Sequence, residues 1–357
     1  MSSSRGSPLK KSFLQTRAWL YIQIVIVILI FAAMIWYKGD EFKRALTEFD
    51  PKYLLLSFLV YFSSLILTFL RWQILVRTLG LPFTFYDAIR LGFVGAVTSL
   101  FMPGSITGDV VKGSFIATEQ KRRAAAIASI IVDRIIGLYA LLVLTSLVGI
   151  AFWSEVAQFE RLKLIVYFVW ACTAGGALAV LSIYIFRAEP FIAWLEKVRY
   201  VGKPFADLTR ALQCYKHNRR ELLAAVGLGV VGHLGFVLTF QFAALAVTDN
   251  PPPWELQYII IPAYMVATSV PLTPMGNIGV GEAMLGGLFT MVGSQLEVGV
   301  AVALAQRVVS WAAAAVGLVW YIPLYRDLKR RQHEGSAKVI EEIEEPGPAA
   351  LTEANEP

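Results

Sequence analysis

Two carboxylates and two arginines interrupt a chain otherwise dominated by apolar runs. Asp109 closes the stretch PGSITGD at 103–109, and Glu282 closes PMGNIGVGE at 274–282. An arginine follows each acid after the same interval: Arg134 follows Asp109, and Arg307 follows Glu282. Lys112, Asn277 and the hydroxyls of Ser105 and Thr107 lie close by in sequence. Paired carboxylates could serve as acid and base. Cations with amide and hydroxyl donors could instead bind an anionic group such as a phosphate.

Both stretches are built to break a helix. The first carries Pro103, Gly104 and Gly108, the second Pro274, Gly276, Gly279 and Gly281. Thr-Ser precedes each break, and Ser99 and Pro103 are matched by Ser269 and Pro274. The surroundings are oily: of 357 residues, 57% are hydrophobic and 16% charged, and the mean hydropathy is +0.60. This composition excludes an ordinary soluble domain and points to an all-α polytopic integral membrane protein. Short alternating segments, the mark of a membrane β-barrel, are absent.

A hydrocarbon core of about 30 Å needs roughly 20 apolar residues per helical crossing. Six windows meet this: 19–37, 53–70, 124–153, 164–186, 222–247 and 297–323. The first is too long for a signal-peptide core and should stay as a helix. Ser294 and Glu297 form an expected capping box opening the last window. The segments at 83–123 and 254–296 are each long enough for two passes but broken in the middle.

Arginines and lysines near span ends favour the cytoplasm. The tail at 1–18 carries Arg5, Lys10, Lys11 and Arg17. Arg71 and Arg77 mark a return inside, and Lys121, Arg122 and Arg123 end the first broken segment inside as well. No Lys or Arg occurs between Arg220 and Arg307, so the second broken segment opens from outside. The expected fold is therefore six full transmembrane helices plus two re-entrant helical hairpins from opposite faces, with both termini cytoplasmic. Matched chemistry with opposite entry faces is the pattern of an inverted-topology repeat.

Irregular backbone survives in a bilayer only where protein or a wet cavity covers it. Two such tips could meet near the midplane, each ending at a helix start whose N–H groups and dipole attract anions. Arg134 and Arg307 lie about 15 Å into their spans, where a charge needs a partner or water. Asp109 and Glu282 are the expected partners, and Asp133 is a third carboxylate beside Arg134. Fixed structural ion pairs and a cavity lining are both open readings of these groups.

These stretches resemble the transmembrane flippase region of lysylphosphatidylglycerol synthases and its stand-alone relatives, over roughly 20–325. The resemblance is carried by PGSITGDVVK (103–112), VDRIIGL (132–138), PLTPMGNIGVGE (271–282) and the last helix around Gln306-Arg307. The second break is the more distinctive. Members of that family move aminoacylated phospholipids, hopanoid-type lipids or polyprenyl-linked sugars between leaflets. The resemblance thus implies a lipid flippase-like transporter in a bacterial inner membrane. Its partners would be membrane lipids and a lipid-synthesising enzyme. No acyltransferase-like domain follows the last span, so lysyl-lipid synthesis is not expected of this chain.

The other signals are blander. The domain at 19–325 contains a loop at 187–220 with apolar residues at helical spacing among basic ones. That pattern fits amphipathic helices on the inner leaflet or a cytoplasmic helical hairpin. The tail at 326–357 turns acidic and is expected to be disordered at its end. His233 reads as an interhelical hydrogen-bonding residue, Gln23 and Gln241 as packing polar groups. Cys172 and Cys214 are not expected to meet. No metal-binding, Walker-type or nucleophile-elbow motif is present, and no cofactor is expected. A membrane transferase using Asp109 and Glu282 as acid and base is the alternative, with ion-coupled uptake of a soluble solute a third.

Overall fold

A computed structural model of the chain describes residues 49–101, 106–119, 123–185, 215, 218–269 and 277–323, and among these the regular elements are all helical. The expected span at 19–37, most of the 187–220 loop, Cys214 and the acidic tail lie outside the described residues. Among the described residues, five helices are long and apolar enough to cross a membrane. They are α1 (Pro51–Thr78), α4 (Arg123–Ala151), α6 (Glu160–Ile185), α7 (Arg219–Val247) and α10 (Leu296–Val316). A four-residue helix, α5 (Trp153–Val156), turns the chain between α4 and α6.

Local sequence explains where these helices begin and end. Asp50 caps α1 by accepting the Lys52 N–H at 2.8 Å, with Pro51 at the first helical position. The start of α10 differs from the capping box expected there. Its N-cap is Gln295, without a side-chain cap bond. Ser294 instead closes the preceding helix: its N–H donates to Phe289 O at 3.1 Å, and that of Gly293 to Thr290 O at 3.3 Å. Gly293 has φ +81°, so this is a Schellman turn that leaves Ser294 committed to the helix before it.

The two broken segments each form a pair of short helices. The first pair is α2 (Phe85–Phe101) and α3 (Ile106–Glu119); the second is α8 (Trp254–Thr268) and α9 (Val280–Met291). They have 17, 14, 15 and 12 residues. At 1.5 Å per residue each is about 18 to 26 Å long, less than the ~30 Å hydrocarbon core.

Helix α1 lies along α7, and small residues set how closely. Gly229, Gly232 and Gly235 line the seam, where a Cβ on Gly235 would overlap Ser64 Oγ; one on Gly229 would come 2.6 Å from Ala140 Cβ of α4, which packs on the same face. Ser57 Oγ donates across it to Thr239 O at 2.9 Å. Around this pair the core divides in two. The first cluster joins α2 and α3 to the C-terminal end of α1 (Phe69, Trp72, Leu75, Val76) and the N-terminal end of α4 (Ala126, Ile130), with Ala225 from the start of α7. The second joins α8 and α9 to Leu144 late in α4, Val237 to Ala244 late in α7, and Val302 to Ala305 early in α10. The two short-helix pairs therefore pack against opposite ends of the same long helices.

Candidate functional site

The second break is the more completely tied. Asn277 adopts φ +62° and donates its side-chain amide to Thr268 O at 2.8 Å, satisfying a carbonyl left open at the end of α8. Gly279, at φ +85°, is the N-cap of α9, a conformation that only glycine adopts without strain. Its N–H donates to Glu282 Oε2 at 2.6 Å, which is half of a capping box. The other oxygen, Oε1, accepts Arg307 Nε at 2.7 Å and Nη2 at 2.6 Å. Glu282 has no exposed surface, so this arginine supplies its countercharge. A Cβ on Gly281 would sit 3.3 Å from the Tyr264 hydroxyl and 3.6 Å from Arg307 Nη2, so glycine lets both groups approach the break.

The first break repeats the arrangement with looser walls. Asp109 lies in the first turn of α3 and accepts from Arg134 Nε through Oδ2. Its Oδ1 is 3.6 Å from Lys112 Nζ, one helical turn on. That ammonium also sits 4.2 Å from the ring centroid of Trp72, a cation–π contact on a buried indole. The indole N–H donates to Ser129 Oγ at 3.3 Å. Thr107 lies in the first turn of α3, while Ser105, Pro103, Gly104, Pro274 and Gly276 fall outside the described residues.

Gly108 sets the crossing of α2 and α3. A Cβ there would overlap Ser99 Oγ and the Gly95 carbonyl oxygen. Backbone cannot yield as a side chain can. Gly108→Ala is therefore expected to destabilise the protein by about 1–3 kcal/mol. Gly113→Ala, whose Cβ would meet only Ile130 Cδ1 at 3.4 Å, should leave stability unchanged or raise it slightly through alanine's helix preference. Thermal unfolding of the two variants in detergent checks this, and equal midpoints would mean the helices cross with room to spare.

The structure thus brings each carboxylate to the arginine 25 positions later. Arg134 and Arg307 also share a register, each 11 positions past the first residue of its helix, Arg123 or Leu296.

Asp133 goes elsewhere. Successive helical residues diverge by about 100°, so Asp133 faces away from Arg134 and meets α1. Its Oδ1 accepts Arg71 Nε at 2.8 Å and its Oδ2 accepts Nη2 at 3.1 Å. Arg71 is 6% exposed, in the core rather than at the loop its charge had marked. Cβ atoms on Gly137 or Gly229 would approach its guanidinium to 2.9 and 3.4 Å. The apolar window stops at 70, yet α1 runs on to Thr78. Trp72, Leu75 and Val76, at helical spacing, were the available signal. Beside this pair, His233 Nε2 lies 3.0 Å from Gly137 O, an interhelical contact between α7 and α4.

Comparison with known proteins places this arrangement. Residues 22–317, which contain both breaks and the Asp109–Arg134, Glu282–Arg307 and Arg71–Asp133 ion pairs, match the lysylphosphatidylglycerol synthase TM region. A UPF0104 membrane protein of Methanothermobacter thermautotrophicus is 24% identical over 320 residues, covering 83% of this chain and 90% of the relative. Another, from Pyrococcus horikoshii, is 22% identical over 322 residues, covering 83% and 95%. No solved structure matches. With both breaks, their carboxylates and their arginines inside the matched region, the chain belongs to the lysylphosphatidylglycerol synthase TM region family.

Proposed function

We propose that this protein is a lipid flippase-like transporter, moving a phospholipid or another polar-headgroup lipid between leaflets along a polar route lined by the two breaks. The carrying observation is the repeated unit: a helix break, a carboxylate in the first turn beyond it, and an arginine bonded back from the next long helix. The packing of the two short-helix pairs at opposite ends of α4 and α7 supports re-entrant hairpins entering from opposite faces. In this reading six crossings, the first at 19–37, and two hairpins form an inverted repeat in a bacterial inner membrane, with both termini cytoplasmic. A lipid-synthesising enzyme supplies the cargo, and the chain performs no bond-making step itself.

Charged groups held deep in apolar surroundings are costly and mark transport pathways in membrane helices. Here the helix starts add N–H groups and a positive dipole end near each carboxylate. A headgroup passing between the breaks would exchange its hydration shell for those donors, while its acyl chains stay in the bilayer.

Purified protein in liposomes with a trace of fluorescent phospholipid provides the test. Added dithionite bleaches only outer-leaflet label, and protein-containing vesicles should bleach further than protein-free ones. Bleaching identical to the protein-free control would sink the transporter reading. Finding a chemically altered lipid in the same vesicles would move the assignment to a transferase.

A further inference from the structure

The two halves carry the same unit in unequal states. At the second break Glu282 is fully buried and the Arg307 side chain is 12% exposed. At the first, Asp109 is 20% exposed and Arg134 is 43% exposed. Charge differs as well. Glu282 and Arg307 balance, whereas Asp109 faces two cations, Arg134 and Lys112, and the neighbouring Arg71–Asp133 pair is neutral. Among the described side chains the first cluster thus carries one excess positive charge.

Arg134 also occupies a particular face of α4. Ile127, Ile131, Ile135 and Leu138 are 46%, 44%, 45% and 48% exposed. At about 100° per residue these four and Arg134 fall within one arc of roughly 100°. The opposite face, with Val132, Asp133 and Ile136, is buried. A stripe of large exposed aliphatics on a membrane-length helix is a surface for acyl chains. Arg134, though bonded to Asp109, keeps 43% of its side chain exposed on this stripe, so an anion arriving along it meets the guanidinium at the same depth. Phosphate above a hydrocarbon chain supplies both.

The geometry points to the first break as the seat of the transported lipid. Its phosphate docks on Arg134 and Lys112, and an acyl chain lies along the Ile127–Ile131–Ile135–Leu138 stripe. The Glu282–Arg307 pair stays closed and does not touch the headgroup in this state. This assignment rests on the transporter reading and names its cargo class as an anionic phospholipid. On docking, Arg134 exchanges its bond to Asp109 for one to the phosphate, and Lys112 remains to balance Asp109. A soluble anion would gain nothing from the aliphatic stripe, so the occupant is a lipid.

The test uses the full chain in phosphatidylcholine liposomes containing radiolabelled phosphatidic acid. A photo-crosslinking residue replaces Ile131 or Ile135 on the stripe, or Leu164 or Phe168 on the exposed face of α6, where both are 69% exposed. Labelled phosphatidic acid is expected to attach preferentially at the α4 positions. Arg134→Gln should lower that labelling about tenfold, the worth of one charge-assisted hydrogen bond, and Arg134→Lys should retain most of it. Millimolar inorganic phosphate should not compete.

Equal labelling on α4 and α6, labelling indifferent to Arg134→Gln, or competition by free phosphate would each overturn the assignment. Circular dichroism of Arg134→Gln guards against a folding defect. If that variant is unfolded, the α4-to-α6 labelling ratio in the wild-type background decides alone. Lipid movement in the dithionite assay without stripe labelling would remove this seat but leave the transporter standing. Stripe labelling without lipid movement would do the reverse.

Discussion

Arg71→Leu and Asp133→Leu will each destabilise the protein by about 3–5 kcal/mol, while the double variant will recover most of the loss. Both side chains are nearly dry, at 7% and 9% exposure, and bond bidentately across α1 and α4. Removing either one strands the other's charge among Leu75, Ile136 and the glycines of α4 and α7. Removing both strands nothing, although the close approach at Gly137 and Gly229 leaves some unfilled volume. The unfolded chain in a membrane also finds partners for its polar groups, which places the cost toward the lower end of the range. Equilibrium unfolding in mixed detergent micelles reads the effect. Single variants as stable as the wild type would mean that water or lipid headgroups reach the pair.

The second large effect concerns Glu282. Its carboxylate accepts from the Gly279 N–H as well as from two nitrogens of Arg307. Glu282→Ala leaves an arginine with 12% exposure and a bare helix start, and should also cost about 3–5 kcal/mol. The exchange Glu282→Arg with Arg307→Glu separates the two roles. It restores a charge pair but puts a cation at the positive end of α9 and removes the acceptor for Gly279. The exchanged protein is expected to be no more stable than Glu282→Ala. Full recovery would reduce the position to a simple ion pair, with no part in starting the helix.

Much of the site was legible because its chemistry is local. A Pro/Gly break and an acid in the next turn, with an arginine at a fixed interval, all sit within one stretch of chain. Counting residues along α4 and α10 therefore brings each arginine to its acid. Arg71 was not legible in the same way. A lone arginine ending an apolar window looks like a loop flank, and only its distant partner in α4 turns it into a core residue. The same locality misled at Ser294, whose spacing to Glu297 matches a capping box. The left-handed Gly293 spends that serine's N–H on the helix before. The seating of the two short-helix pairs at opposite ends depends on contacts between remote segments, which no single window contains.

The stacking of Phe93 on Trp320, 5.3 Å between ring centroids, joins α2 to the last described turn of the chain. During synthesis α2 and α3 leave the ribosome long before Trp320 does. Phe93 therefore gains this aromatic partner, and the packing around it is completed, only once the last described turn has been made.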